Sequence, residues 1–185
     1  MLNNIAALYG TGVAAVGDYE SIQTYTLSGS QATISFTSIA STYKHLQLRI
    51  MGRTTRTSST QNSFIYTFNG SSTGYGYSHR LYGQGSGTGS ADAPNGSTYS
   101  FGCTMATDGS ASNVMGVAIM DILDYANVNK YKTTRIFGGN DQNGSGEIHL
   151  ESGLWQNSNA ISQIDLSVDS FNWAAKTTIA LYGIK

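Results

Sequence analysis

The chain has 185 residues, enough for one domain with a sizeable core, with or without an added arm. Charged residues make up 11% of the chain, less than half of the roughly 25% usual in soluble domains, and the net charge is −1. This composition provides no basic footprint for nucleic acid or an anionic membrane surface, and the single cysteine, Cys103, excludes an intrachain disulfide framework or a multi-cysteine zinc site.

The first stretch, residues 1–18, is predicted to be a docking arm. It contains no positively charged residue and no apolar run long enough for a secretory signal or a membrane span, so we expect synthesis in a cytoplasm. Four apolar residues fall at helical spacing, a pattern typical of a short amphipathic turn: Leu2, Ile5, Leu8 and Tyr9. About ten residues do not hold a helix alone in water, so this turn is predicted to bind a partner.

Residues 19–185 show short alternating runs separated by Gly, Asn and Ser clusters, and no long helical pattern. About nine or ten strands are expected at this turn spacing, which is typical of an antiparallel two-sheet β-sandwich, and a jelly roll is the first choice. Eleven strand-like runs are the candidates for these strands: 19–27, 32–36, 41–50, 64–68, 75–82, 98–105, 114–123, 131–137, 147–155, 164–168 and 177–184.

Some of these strands carry more specific expectations. The runs 19–27 and 32–36 are predicted to pair as a hairpin, and so are 164–168 and 177–184, with Phe171 and Trp173 at the turn. Apolar residues occupy both faces of 114–123, which predicts a central strand covered on both sides. The glycine-rich stretch 83–96 is predicted to be a long surface loop.

One strand carries a candidate chemical site. Glu147, His149 and Glu151 are two residues apart, so they project from the same face of their strand. They are weak candidates for a metal site or for a carboxylate pair in acid–base work, and a tetrahedral site would need a ligand from another strand. The alternative, which we favour, is a solvated or intersubunit strand face.

Two further groups have a binding interpretation and a structural one. Arg49, Arg53 and Arg56 form the basic cluster, which suits an acidic partner surface or is simply a polar strand face. Tyrosines around the glycine-rich stretch could stack on a glycan, or could belong to the core and to subunit contacts: Tyr75, Tyr77 and Tyr82.

Residues 70–74 match the G-x-S-x-G hydrolase pattern around Ser72. The nucleophile elbow needs a strand before it and a helix after it, whereas a second strand is predicted to follow here. We therefore interpret Ser72 as a turn residue and predict no catalytic residue in the chain.

Several segments resemble a family of small structural proteins of tailed bacteriophages, especially those that infect cyanobacteria. The likeness runs through DYESI (18–22), STYKHLQLR (41–49), YSHRLYG (77–83), DILDYANVNKYKT (121–133), SGLW (152–155) and the terminal ALYGIK (180–185). The resemblance implies a β-sandwich on the virion surface that commonly forms homotrimers, and it brings no enzymatic residue or cofactor to this chain.

The resemblance therefore predicts a capsid decoration or cement protein that is made in the host cytoplasm and binds the major capsid protein or another virion protein. A tail-fibre or receptor-binding protein that recognises a glycan is the alternative. The arm and the stretch 83–96 are where such proteins differ, so head attachment is less strongly implied than a place on the virion surface.

Overall fold

A computed structural model describes residues 17–84 and 95–185, without the side chains of residues 77–79, 84 and 95–97. The described chain is all-β and contains no helix, so no helix long and apolar enough to cross a membrane occurs within it. Twelve strands follow in chain order: β1 (Tyr19–Thr26), β2 (Thr33–Phe36), β3 (His45–Thr54), β4 (Gln61–Phe68), β5 (Tyr75–Gln84), β6 (Asn95–Ser97), β7 (Ser100–Thr107), β8 (Gly116–Leu123), β9 (Lys132–Asp141), β10 (Gly146–Trp155), β11 (Ile164–Val168) and β12 (Thr178–Ile184).

The strands hydrogen-bond into one continuous sheet that has two parts. The eight-strand part has the order β1-β12-β3-β8-β9-β10-β5-β6, and the four-strand part has the order β2-β11-β4-β7. All neighbours within each part are antiparallel. A short parallel contact between the ends of β3 and β7, at Arg53–Ala106 and Thr54–Thr107, joins the two parts.

The core lies between the two parts, because β7 packs against β8, β9 and β10, and Tyr66 of β4 reaches β9. Phe64, Tyr66 and Phe68 alternate along β4 and are all buried, as their period-2 pattern predicts. The Tyr66 hydroxyl reaches across to Thr134 Oγ1 at 2.6 Å. Cys103 is also buried and acts there as a small apolar core residue.

The predicted hairpin of 164–168 with 177–184 is wrong, although both strands exist. The first, β11, pairs with β2 and β4, whereas β12 pairs with β1 and β3 in the other part of the sheet. The connection crosses the core because Trp173 is fully buried and its indole Nε1 donates to the Leu166 carbonyl at 3.0 Å. A buried ring of this size holds the connecting segment between the two parts.

The predicted pairing of the first two strands is also wrong. β1 forms an edge of the eight-strand part beside β12, and β2 forms an edge of the four-strand part beside β11. The strand 114–123 is observed as β8 in a central position between β3 and β9. Its expected cover on both sides is not observed, because Val117 is 55% and Ile119 is 44% exposed.

The predicted loop 83–96 is wrong at both of its ends, which are strands. Residues 83 and 84 continue β5, and Asn95 to Ser97 form β6, which pairs with Tyr75 and Gly76. Residues 85–94 and the arm residues 1–16 lie outside the described part of the chain. Asn69 and Gly70 form the turn that follows β4, and both residues have positive φ angles, 54° and 63°.

Candidate functional site

The acidic and imidazole side chains of β10 point into the molecule. His149 is 2% exposed and Glu151 is 4% exposed, while the intervening Ile148 and Leu150 point outward and are about half exposed. The prediction that the three chemical groups share one strand face is confirmed. The favoured interpretation of that face as solvated or intersubunit is wrong, because partners from distant strands cover it inside the sheet.

These buried groups form a chain of ion pairs, which we call the inner charged row: Glu147, His149, Glu151 and Arg80. His149 Nε2 lies 2.8 Å from Glu147 Oε2, and Nδ1 lies 3.1 Å from Glu151 Oε1. The guanidinium of Arg80 on the neighbouring β5 continues the row, with Nε 2.8 Å from Glu151 Oε1. Burying a carboxylate is costly unless it has a partner, and each carboxylate of the row lies against an imidazole nitrogen or the Arg80 guanidinium.

Polar side chains from other strands complete the row. Thr104 on β7 places Oγ1 3.1 Å from His149 Nε2 and 3.3 Å from Glu147 Oε2. The ring of Tyr82 stacks on the imidazole with centroids 5.7 Å apart. Each imidazole nitrogen of His149 therefore faces a carboxylate oxygen, and the stacked Tyr82 ring fixes the orientation of the imidazole plane.

The contacts of the row run between its own side chains rather than towards a shared ligand position. The described residues contain no group of three or more His, Cys, Asp and Glu side chains placed to hold a metal ion. The carboxylates bind opposite sides of the imidazole ring rather than converging on a common point. An open groove lined by Gln61, Asn140 and Glu147 reaches the Glu147 end of the row, while His149 and Glu151 stay buried.

The opposite face of the eight-strand part is apolar and exposed. Seven large side chains on five adjacent strands form this outer apolar face, and each is 44–55% exposed: Met51, Leu81, Val117, Ile119, Phe137, Ile148 and Leu150. Exposed apolar side chains scattered singly are normal, but a contiguous group of this size is typical of an interaction site.

The strand register places the outer apolar face in two rows. The first row runs Met51, Val117, Gly139, Ile148 and Gly83 across β3, β8, β9, β10 and β5. The second row runs across the same strands two residues further along, through Arg49, Ile119, Phe137, Leu150 and Leu81. Within the described residues, the one charged side chain in these rows is Arg49, at the end on β3.

The first row contains hollows because two of its members are glycines. Gly139 has a φ of 149° and a Cβ there would lie 2.0 Å from the Glu147 carbonyl oxygen, so no side chain fits. A groove of about 620 Å³ lies over it, lined by Val117, Phe137 and Ile148 among others. The first row is therefore hollow at Gly139 and Gly83, whereas its other members are as exposed as the large side chains of the second row.

The predicted basic cluster does not act as one surface. Arg53 is bound within the chain: Nε lies 2.9 Å from Asp108 Oδ1, and its terminal nitrogens donate to three carbonyls of residues 110–114. Arg56 lies over the ring of Phe171 at 5.7 Å. Arg49 remains exposed on the outer side, over the rings of Tyr19 and Tyr182 at 5.5 Å and 4.8 Å.

The tyrosines proposed for glycan binding have different environments. Tyr75 is 1% exposed and stacks on Trp155 in the core, with ring centroids 6.2 Å apart, so it offers no platform to a sugar. Tyr82 is partly buried and its ring lies against His149. The side chain of Tyr77 lies outside the description, as do the arm residues Leu2, Ile5, Leu8 and Tyr9.

Ser72 occupies the exposed turn between β4 and β5, as predicted, and a strand rather than a helix follows it. Sequence reasoning missed the contacts of Arg80 and Thr104 with the inner charged row. Each lies on a different strand from its partner on β10 and more than forty residues away in the chain. Sequence reasoning also missed the outer apolar face, although the two-sided apolar character of 114–123 was a signal for it. No protein-family model, no curated protein and no solved structure matches this chain.

Proposed function

We propose that residues 19–185 form a β-sandwich of jelly-roll type and that residues 1–18 form a docking arm. A jelly roll is a pair of Greek keys in which eight strands pair in nested order, the first with the last. The observed pairs β1–β12, β2–β11, β3–β8 and β4–β7 follow that nesting. The remaining strands, β9, β10, β5 and β6, extend the eight-strand part beyond β8.

On this framework we propose a non-enzymatic virion structural protein, a capsid decoration or cement protein that binds the head surface of a tailed bacteriophage as a homo-oligomer. Jelly rolls occur in viral capsid proteins and in lectins, so the fold alone does not choose a function. The observation that carries the proposal is the outer apolar face, a broad and nearly uncharged surface of the kind that binds another protein.

The size of this face supports assembly with other protein surfaces. Complete burial of one large apolar side chain contributes about 1.5–3 kcal/mol, so burying the exposed half of all seven would contribute about 5–10 kcal/mol. Association costs of about 4–15 kcal/mol are of similar size. The net free energy of association through this face is therefore small. Such a face suits a protein that assembles at high local concentration and makes further contacts at the rim of the interface.

The inner charged row supports a structural role rather than an enzymatic one, because its charged groups are bound to each other inside the domain. The partners proposed are further copies of this chain, with the trimer implied by the resemblance, and the major capsid protein or another virion protein. The resemblance described above supplies the phage context and the virion surface as the location. The glycan-binding alternative is not favoured by the structure, since Tyr75 is buried.

The test is particle association. Bacteria infected with the phage that encodes the chain are lysed, virions are banded in a density gradient, and the chain is quantified against the major capsid protein by mass spectrometry. We expect a fixed ratio in the virion band, and loss of that ratio when residues 1–17 are deleted. A chain that stays wholly in the soluble fraction would overturn the proposal, and full incorporation without the arm would remove the arm's role.

A further inference from the structure

We infer that the outer apolar face binds the same face of a second copy of this chain, with two second-row side chains of each copy, Phe137 and Leu81, seated over the glycine hollows of the other. This inference rests on the proposed structural function, and it gives the copies a twofold arrangement in place of the trimer that the resemblance implies. It does not involve the capsid contact.

The first argument is the spacing of protrusions and hollows on β9. Phe137 is 54% exposed in the second row, and Gly139, two residues along, is a hollow in the first. A twofold axis between the two faces, running across the strands at the level of Gly138, places each Phe137 over the partner copy's Gly139. Such a contact is isologous, since both halves form at once from identical surfaces.

The second argument is that β5 repeats this arrangement. Leu81 is 52% exposed in the second row, and Gly83 lies two residues along in the first. The same axis therefore seats Leu81 over Gly83 while it seats Phe137 over Gly139. On β8 and β10 it sets Ile119 against Val117 and Leu150 against Ile148, so apolar residues meet apolar residues across four strands.

The third argument concerns charge and area. The two rows contain no acidic side chain among the described residues, and row-to-row contact leaves Arg49 at the margin on β3. A large apolar side chain has an accessible area of roughly 170 Å², and about half of it is exposed here. Seven such side chains therefore expose about 600 Å². A specific interface buries about 800 Å² on each partner, so the outer apolar face with its polar margin is large enough.

The experiment measures the mass of the full chain by sedimentation velocity, with circular dichroism to confirm the fold of each variant. The wild type is expected to be a dimer at micromolar concentration. Phe137→Asp is expected to raise the dissociation constant at least about a hundredfold, because it places two charges in the apolar contact. Leu150→Asp is the second variant on the face, and Val128→Asp is the control, because Val128 is 61% exposed in a turn away from the face.

Gly83→Leu tests whether the two faces fit each other by shape or associate only through nonspecific apolar contact. A Cβ at this position meets only the Ile148 side chain at an ordinary 3.7 Å, so the single domain can accept it. The change adds apolar surface but fills the hollow that Leu81 of the second copy would occupy. We expect weaker dimerisation of Gly83→Leu. A face that associates only through nonspecific apolar contact would instead dimerise more strongly, because the variant adds apolar surface.

Mixing oppositely charged variants identifies the partner as the same face. Phe137→Asp and Phe137→Lys are each expected to be monomers, and an equimolar mixture is expected to form a heterodimer, because the two position-137 side chains lie close across the axis. A wild-type monomer, a trimer, or a mixture that stays monomeric would overturn the inference. A protein that fails these tests but bands with virions keeps the proposed function, and a dimer absent from virions keeps only the inference.

Discussion

Removing one charge from the inner charged row should destabilise the domain strongly. Glu151 is 4% exposed and binds Arg80 Nε at 2.8 Å and His149 Nδ1 at 3.1 Å. Glu151→Gln keeps the shape of the side chain but removes the negative charge that faces the Arg80 guanidinium. Breaking a buried ion pair on one side costs about 3–5 kcal/mol, because the remaining charge is left without compensation.

Thermal unfolding by calorimetry gives the measurement. In a domain of 150–250 residues, 1 kcal/mol shifts Tm by about 2–4 °C, so Glu151→Gln should lower Tm by about 6–20 °C. Asp165→Asn is the matched control, because Asp165 is partly exposed and hydrogen-bonds only to Gln163 among the contacts described. A loss below 1 kcal/mol for Glu151→Gln would refute the reasoning that these charges depend on each other.

Two further predictions concern buried and clamped groups. Burial raises the pKa of Tyr66 to about 12 from 10.0, so the folded state holds this proton more tightly than the unfolded state. The stability that this proton contributes is present below pH 10 and is lost as the pH rises towards 12; in urea titrations, the wild type should lose about 2 kcal/mol more than Tyr66→Phe over that interval. Arg53→Met removes the hydrogen bonds to residues 108–114 and should destabilise by about 2 kcal/mol. Hydrogen exchange should accelerate first in 108–114, and uniform acceleration across the domain would contradict a local clamp.

The sequence predicted where strands lie better than it predicted which strands pair. Alternation in 164–168 and in 177–184 is a local signal, and both strands are present. Their partners depend on the connecting segment, where Trp173 is buried and directs the chain across the core. Period-2 patterns contain no information on such a crossing, so adjacent strands were wrongly paired as hairpins.

In the candidate site, too, the sequence predicted local geometry but not the partners from distant strands. Shared side-chain direction for Glu147, His149 and Glu151 follows from strand geometry and was predictable. Which side of the sheet they face was not predictable, because Arg80 and Thr104 come from other strands and offset the cost of burying the charges. With charged residues inside, Ile148 and Leu150 must point outward, and the outer apolar face follows from that reversal.

A cryo-electron microscopy reconstruction of the virion tests the central claim most directly. We predict density for this β domain on the particle surface, with Phe137 and Ile148 covered by another protein surface. Particles that lack the domain, or that carry it with the outer apolar face open to solvent, would contradict the account.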